Sequence, residues 1–211
     1  MDQISRRGAL GGLAAMAAAP AIGQVPFPPP AILRHPGFAG WAPGDGKRAP
    51  LDAGITYENG RASTIGRWMA GRPTLLILWA LWCAPCLEEK PSQDALLRRL
   101  RAAGSRVQIL ALQTYDHEPL SAGRDRLDRL RVRALPIARA SAEAEAQLVP
   151  MTGGQPGVAH SAIAMPAMAL ISADGREIGR HHSRMPPLAG KPTWFDTRAA
   201  YDLMMLVGKV G

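Results

Sequence analysis

The sequence predicts an α/β protein in which helices cover both faces of a mixed sheet, and three observations support this class. The unbroken apolar run at residues 74–80 is typical of a central strand that is buried on both faces. Strand-like and helix-like segments then alternate along the chain, as they do in layered α/β folds. Near the C-terminus, two strand-like segments flank an Asp174-Gly175 turn, which predicts an antiparallel hairpin and therefore a mixed sheet.

Length and composition suit one globular domain preceded by a separate N-terminal segment. The chain has 211 residues, of which 47% are hydrophobic and 20% are charged. Domains commonly hold about 100–200 residues. We therefore expect a single domain at residues 45–208, a Pro/Gly-rich arm or linker at 24–44 and an export signal at 1–23.

The first 23 residues have the layout of a bacterial export signal. Arg6 and Arg7 form a paired-arginine start, residues 8–19 are small and mostly apolar, and small residues follow at possible cleavage positions. The twin arginines favour the Tat route. An uncleaved anchor is the alternative, but the apolar stretch is shorter than the ~20 residues of a spanning helix, and Pro20 interrupts it. We therefore expect a cleaved signal and a periplasmic protein.

The net charge of +8 raises the question of a nucleic acid or an anionic membrane surface as the partner. The arginines are scattered over the polar sides of expected helices, for example at Arg98, Arg101, Arg126 and Arg129. Aromatic residues are not interleaved with them, as they are in proteins that bind single strands. We expect solvated helix faces and no nucleic-acid partner.

The remaining elements follow from turn signals and periodicity. Asn59-Gly60 between short β-prone runs predicts a hairpin before the central strand. A helix is expected to begin near Ala84, with Pro85 in its first turn, and to end at Gly104. The other expected elements are a strand at 106–112, a basic helix at 121–132, a strand at 136–140, a helix at 141–148, a loop at 151–161, strands at 166–172 and 176–181, and a final helix at 196–207.

Both cysteines of the chain, Cys83 and Cys86, lie directly after the central strand. A zinc site needs four ligands, and the sequence has no second cysteine pair. As a structural staple the pair is weak, because the loop-entropy model gives only roughly 2 kcal/mol for so short a ring. A redox pair is the third interpretation. Export favours it, because thiol pairs in a periplasm are oxidised unless they are actively reduced.

The position of the cysteine pair suits thiol chemistry. The thiolate is the nucleophile in disulfide exchange, so the site must stabilise it and leave it exposed. Unpaired amides and the helix dipole stabilise negative charge at a helix N-terminus. The order of strand, turn and helix places Cys83 at that terminus as the attacking thiol, and Cys86 is expected to face inward and resolve the mixed disulfide.

The WCAPC motif after a hydrophobic strand resembles the thioredoxin superfamily. Together with the export signal, the CLEEKP segment and the ENG hairpin, it makes residues 45–208 resemble the TlpA/ResA-type periplasmic thiol–disulfide oxidoreductases. The resemblance implies a thioredoxin-like three-layer sandwich with a mixed central sheet, plus an N-terminal β-hairpin. It also implies that Pro91 kinks the active-site helix and that Trp82 borders the disulfide as a partly exposed plate. Simple packing is the alternative role for Trp82.

Thioredoxin-like proteins carry a cis-proline that faces the CxxC motif, and Met165-Pro166 is similar to that segment. A cis X–Pro bond costs little and leaves backbone groups free to pair with an incoming peptide. A trans proline at the start of a strand is the alternative. Family members commonly have a small or β-branched residue before this proline. Met165 is therefore a departure, and its side chain is expected to lie against the sulfurs.

Two positions bear on proton transfer. Many thioredoxins carry a buried acid six residues before the first active-site cysteine, and this chain has Ile77 there. Glu89, three residues after Cys86, matches a glutamate that helps to set thiol chemistry in ResA-type members. A carboxylate at that position is expected to have a raised pKa and to accept a proton. A solvent-exposed helix glutamate is the alternative, and the neighbouring Glu88 is the weaker candidate.

By resemblance, the protein is expected to be an exported thiol–disulfide oxidoreductase that acts as a reductant. The direction is not readable from the motif, because Ala84-Pro85 does not fix the reduction potential on its own. Its expected partners are a membrane thiol transporter as the electron donor and client proteins with cysteine thiols or disulfides. Typical family clients are the haem-site cysteines of apocytochrome c or a copper-site protein. We expect no cofactor other than the redox-active Cys83–Cys86 disulfide, and no bound metal.

A copper(I) chaperone on the same fold is the alternative function. Soft thiolate and thioether ligands select copper(I), and the chain has nine methionines. Met165, Met185, His181 and His182 lie late in the sequence, but the methionines form no MxxM-type cluster. Methionine at helical spacing is more often part of a core.

Overall fold

The computed structural model describes residues 27–148, 150, 164–182 and 192–210. The expected export signal at 1–23 and the expected loop at 151–161 lie outside these ranges. Within them, the strands are β1 (Ala42–Pro43), β2 (Gly54–Tyr57), β3 (Ala62–Thr64), β4 (Thr74–Trp79), β5 (Gln108–Gln113), β6 (Ile137–Ala140), β7 (Ala167–Ile171) and β8 (Glu177–His182). The helices are α1 (Pro30–Leu33), α2 (Ile65–Met69), α3 (Ala84–Ala102), α4 (Leu120–Arg129), α5 (Ala142–Leu148) and α6 (Arg198–Val210).

The strands form one mixed sheet in the order β1-β8-β7-β4-β5-β6-β2-β3. β4 lies at the centre, where it pairs in parallel with β5 and antiparallel with β7. Parallel neighbours need a crossover connection, and α3 supplies it between β4 and β5. β7 and β8 form the expected late antiparallel hairpin. The predicted α/β class with a mixed sheet is confirmed.

Side-chain alternation along β4 divides the core into two layers. Leu75, Ile77 and Trp79 belong to the core cluster that includes residues of α3, α4 and α6, whereas Leu76 and Leu78 belong to the cluster formed with α2 and α5. Every residue of β4 is buried. Because successive strand side chains point to opposite faces, an apolar run without polar alternation requires helices on both sides. The architecture is therefore a three-layer sandwich.

The helix α3 carries the cysteine pair at its N-terminal end. Pro85 lies in the first turn, where a backbone N–H would have no acceptor within the helix, so proline loses no hydrogen bond there. Pro91 lies inside the helix. The helix stops just before Gly104, which has a φ of +67°. Glycine adopts this left-handed conformation without a steric cost, so Gly104 ends the helix as its sequence position predicts.

β2 and β3 occupy the sheet edge that is remote from β1. They pair antiparallel, with Gly54 opposite Thr64, and β2 also pairs antiparallel with β6. The turn between them contains Gly60 at a φ of +77°, whose amide donates to the Tyr57 carbonyl at 2.9 Å. The Asn59-Gly60 signal therefore lies in a tight turn between two short strands.

The described part of the segment before residue 45 is an arm that packs on the domain. Ile32, Phe38 and Trp41 are almost fully buried and belong to the same core cluster as α3 and α6. A Cβ atom at Gly37 would overlap the carbonyl group of Ala199 in α6. β1 in addition pairs with β8 as an edge strand. The packed unit therefore begins before residue 45, because the arm contributes apolar side chains and a strand to it.

Candidate active site

Cys83 is the N-cap residue of α3. It has an extended backbone, and its Sγ accepts a hydrogen bond from the Cys86 amide at 3.3 Å. This amide is one of the first N–H groups of the helix, which have no partner within the helix itself. The two cysteines are joined as a disulfide with an S–S distance of 2.08 Å. The local sequence therefore brings a sulfur to the positive end of a 19-residue helix.

The two cysteines differ in accessibility. Cys83 retains 4% of its surface and Cys86 retains none. The order agrees with an attacking Cys83 and an inward-facing Cys86, but Cys83 is far less exposed than the sequence suggested. The reason is that its sulfur is turned towards the amide of the helix and is bonded to Cys86, and both cysteines belong to the core cluster around α3.

The Met165–Pro166 segment lies beside the cysteine turn. β7 runs antiparallel to β4, and Ala167 lies opposite Leu78, so the residues before Ala167 are next to the end of β4 that leads into Cys83. The Met165–Pro166 peptide bond is cis. Pro166 is buried, and half-buried Met165 packs against both core clusters. The structure therefore brings these two residues and the cysteine pair to the same edge of the sheet.

Glu89 is a buried acid on the same helix as the cysteines. It lies three residues after Cys86, which places the two side chains on one helix face. Only 6% of Glu89 is exposed, and burial raises its pKa to about 7 despite the opposing effect of the Lys90 charge. Glu88, by contrast, is exposed. Ile77, at the position where many thioredoxins carry an acid, is fully buried in the apolar core.

Two further buried polar residues, Lys90 and Gln93, adjoin Glu89 and were not singled out from the sequence. Neither retains any exposed surface. The Lys90 ammonium donates to Gln93 Oε1 at 2.9 Å, and Gln93 Nε2 donates to Glu89 Oε2 at 3.5 Å. The sequence places Lys90 directly beside Glu89 but does not reveal its burial, which follows from the packing of α3 over Trp79 of β4.

Trp82 is an exposed aromatic residue of the site. Its side chain is 58% exposed, and its indole N–H donates to the Tyr115 carbonyl at 2.8 Å. The backbone on its N-terminal side is also held, because Asp116 Oδ2 accepts from the Leu81 amide at 2.6 Å. The loop after β5 therefore fixes the plane of Trp82 and leaves its surface open to solvent.

The loop after β5 has a fixed conformation that the sequence did not reveal. Tyr115 adopts a φ of +53°, which is uncommon for a residue other than glycine. Its amide and its hydroxyl both donate to Glu145 of α5, the latter at 2.6 Å. Burial, with a smaller contribution from Glu145, raises the pKa of the Tyr115 hydroxyl to about 12, so it remains a donor. The ends of parallel β4 and β5 meet at one edge, which is the signal that places this loop beside the cysteines.

A cavity of about 380 Å³ opens between Trp82 and this loop. Its lining combines aromatic, cationic and anionic side chains from the cysteine turn, the loop after β5, β6 and α5: Trp82, Tyr115, Asp116, His117, Arg139, Ala140, Ala142 and Glu145. Arg139 donates to the carbonyl groups of Asp116 and Glu118, so it braces the same loop. The site therefore has a structured polar wall on one side of Trp82.

Of the residues behind the copper(I) alternative, Met165 lies at the same sheet edge as the cysteines, whereas His181 faces the N-terminal arm. His181 lies on β8, where its Nδ1 is 3.1 Å from the Gly40 carbonyl and its ring is 5.6 Å from that of Trp41. His181 thus contacts the arm, and Met185 lies outside the described residues. Within the described ranges, no three His, Cys, Asp or Glu residues are arranged to hold a metal ion.

Comparison with known proteins finds similarity in structure only. No family model matches the chain, and no curated protein sequence matches it. A putative thiol:disulfide interchange protein DsbE from Chlorobium tepidum has 20% identity and a TM-score of 0.52, covering 77% of this chain and 96% of that one. A thioredoxin family thiol:disulfide interchange protein from Chlorobium tepidum TLS has 18% identity and a TM-score of 0.51, covering 76% and 99%. A putative electron transfer protein from Aquifex aeolicus VF5 has 11% identity and a TM-score of 0.58, covering 78% and 94%.

At these identities the likeness concerns the fold. It agrees with the observed sheet, in which a central strand leads through a short turn into the cysteine-bearing helix. The matched region spans nearly the whole of each of these solved chains. The chain therefore has a thioredoxin-like fold, as the WCAPC motif predicts.

Proposed function

We propose that the protein is an exported thiol–disulfide oxidoreductase that exchanges its Cys83–Cys86 dithiol/disulfide with the cysteines of client proteins. The observation that carries the proposal is the Cys83 sulfur at the N-terminus of α3, where it accepts a hydrogen bond from the Cys86 amide. The thioredoxin-like fold supports the same activity. So does the absence of any other cysteine in the chain with which this pair would form an alternative disulfide.

In the reducing direction, the reaction has two steps. The Cys83 thiolate attacks one sulfur of a client disulfide, the client S–S bond breaks, and one client thiolate leaves. Cys86 then loses its proton, attacks the Cys83 sulfur and releases the second client thiolate. The protein gains the Cys83–Cys86 disulfide, and its two thiols have given two electrons to the client. The helix N-terminus favours the first step because it stabilises the Cys83 thiolate.

Glu89 is the proposed acceptor for the Cys86 proton. Cys86 is fully buried in the disulfide form, so a thiol at this position needs a nearby group to take its proton. Glu89 lies one helical turn further along, and a carboxyl group with a pKa of about 7 takes up and releases protons near neutral pH. After resolution, Glu89 returns the proton to solvent, so no net proton remains on the protein.

The client is proposed to bind across the edge that Trp82 and Met165–Pro166 share. Trp82 offers an exposed aromatic surface next to Cys83, and the cavity beside it accommodates a side chain of the client. Backbone groups at the cis Met165–Pro166 segment are proposed to pair with an extended client peptide. Met165 in this position is proposed to limit which client sequences reach the sulfur.

The proposed cellular setting rests on the sequence. We propose a periplasmic location, with a membrane thiol transporter as the electron donor and with apocytochrome c haem-site cysteines or a copper-site protein as the clients. A reductant in a periplasm needs such a donor, because thiol pairs there are otherwise oxidised. Among the described helices, none is both long and apolar enough to cross a membrane.

The reduction potential of the Cys83–Cys86 pair tests the proposed activity and its direction. The oxidised protein is equilibrated with glutathione buffers of stepped ratio, and the fraction of free thiol is measured by alkylation and mass spectrometry. A value of about −200 mV or lower agrees with a reductant. A value of about −120 mV would make the protein an oxidant, and a pair that fails to equilibrate would refute thiol exchange altogether.

A further inference from the structure

The side chains of Glu89, Gln93 and Lys90 form a buried chain of hydrogen bonds next to the cysteine pair. We propose that Lys90, acting through Gln93, is a positioning residue that keeps Glu89 able to take the Cys86 proton. This role rests on the thiol exchange proposed above. It assigns a function to a lysine that would otherwise be only an unusual core residue.

The geometry fixes which group donates and which accepts in this chain of hydrogen bonds. Gln93 lies four residues after Glu89 and three after Lys90, so its amide reaches both on the same helix face. The amide oxygen accepts from the Lys90 ammonium, which leaves the amide N–H₂ to donate to the Glu89 carboxylate. An ammonium at one end and a carboxylate at the other match this orientation of the amide. The chain therefore favours the ionised form of Glu89, which is the form that accepts a proton.

The surroundings of Lys90 offer its charge little other compensation. Its ammonium lies 5.0 Å from the centroid of the Trp79 ring, and the side chain is fully buried. Burial lowers the pKa of Lys90 to about 7, and the Glu89 carboxylate is the charge that opposes this shift. If packing were the only role of Lys90, an apolar side chain of similar volume could replace it with little loss of stability. Its hydrogen bond to Gln93 instead directs the charge towards Glu89.

The other charges that face Glu89 are negative. Glu88 precedes it on α3, and Asp196 faces it from the 3-10 turn Trp194–Asp196 that packs against the helix. Both raise the pKa of Glu89, as its burial does. Lys90 and the Gln93 hydrogen bond act in the opposite direction. Without Lys90, Glu89 would hold its proton at neutral pH and could not take another from Cys86.

The test is a titration of the Glu89 carboxyl carbon by NMR in the oxidised full chain. In the variant K90M, a side chain of similar length without charge, we expect the Glu89 midpoint to rise by about one pH unit or more. Q93M is the second variant, since it keeps both charges and removes the connecting amide, and it is expected to raise the midpoint by less. K47M, at an exposed lysine that pairs with Asp45, is the matched control and should leave the midpoint unchanged.

A second measurement links this titration to the reaction. The rate at which the reduced protein reduces a disulfide peptide near neutral pH should fall in K90M, but K90M should have no added effect in an E89Q background. An unmoved Glu89 midpoint in both K90M and Q93M would overturn the inference, as would an equal loss of rate in the E89Q background. A wild-type protein that reduces no disulfide would instead refute the proposed function, and the NMR titration separates the two failures.

Discussion

At the scale of single residues, the site combines two cysteine sulfurs with buried ionisable side chains on the same helix. Cys83 gains stabilisation from a helix N-terminus, whereas Glu89 and Lys90 are buried and share one bridging amide. Burial acts on the two ionisable groups in opposite directions, since it raises the pKa of Glu89 and lowers that of Lys90, both to about 7. This opposition makes stability depend on pH in a way that can be measured.

The free energy of unfolding is expected to pass through a minimum near pH 7 because of this pair. Between the ordinary Glu89 pKa of 4.5 and the folded value of about 7, the folded state binds more protons, so stability falls as pH rises. Between about 7 and the ordinary Lys90 value of 10.5, the unfolded state binds more protons, so stability rises with pH. Urea unfolding of the oxidised protein at stepped pH measures both limbs.

The variant E89Q should remove the fall in stability between pH 4.5 and pH 7, because glutamine does not titrate. The stability of E89Q minus that of the wild type should therefore be larger at pH 7 than at pH 4.5 by about 1–3 kcal/mol. E88Q is the control, because Glu88 is the exposed neighbour on the same helix. Parallel curves for E89Q and the wild type would show that Glu89 does not titrate in this range.

At the scale of elements, α3 is attached to the sheet by a buried carboxylate. Asp94 is 1% exposed, and its Oδ1 accepts from the amides of Ala134 and Leu135, at 2.7 and 2.8 Å, in the segment before β6. Its other oxygen pairs with Arg98 at 2.8 Å. The contact spans about 40 residues of sequence, so it fixes the position of the cysteine-bearing helix against the next layer of the fold.

Replacing Asp94 with alanine is expected to lower the free energy of unfolding by about 2–4 kcal/mol, because the buried Leu135 amide and the half-buried Ala134 amide lose their acceptor. Urea unfolding at a single pH measures the change. Asp202 is the control: it pairs with Arg198 on the exposed face of α6, and D202A should cost much less than D94A because solvent screens an exposed ion pair. A similar small effect of both variants would contradict the anchoring role of Asp94.

The elements that the sequence predicted well are those encoded locally. The apolar run of β4, Pro85 at the start of α3 and Gly104 at its end each act through backbone geometry or burial within a few residues. The buried state of Glu89 was left open, because a carboxylate on a helix is usually solvated and only the packing of α3 on other elements decides the matter.

The loop after β5 and the buried lysine could not be predicted in the same way. Tyr115 takes its left-handed conformation with the help of Glu145, thirty residues later, and no local signal specifies that contact. Lys90 has the sequence appearance of a surface residue, and it is buried only because α3 packs it over Trp79. Both depend on partners that the fold brings together.

At the scale of the whole molecule, the N-terminal arm and the active-site edge lie in different parts of the sheet. The arm adds β1 beside β8 and packs Phe38 and Trp41 against the aromatic residues Trp194 and Phe195 near α6. β4 and β7, which carry the site, lie further into the sheet. The Pro/Gly-rich composition concealed this role, because three well-placed apolar residues suffice to bury an irregular segment.

The formation of a mixed disulfide is the most direct test of the account, which requires Cys83 to attack and Cys86 to resolve. The reduced variants C86S and C83S are each incubated with a peptide disulfide, and their intact masses are measured without reductant. The account predicts that C86S accumulates a covalent adduct on Cys83 and that C83S accumulates much less. An adduct that forms through Cys86 in C83S, with none in C86S, would contradict the assignment of roles.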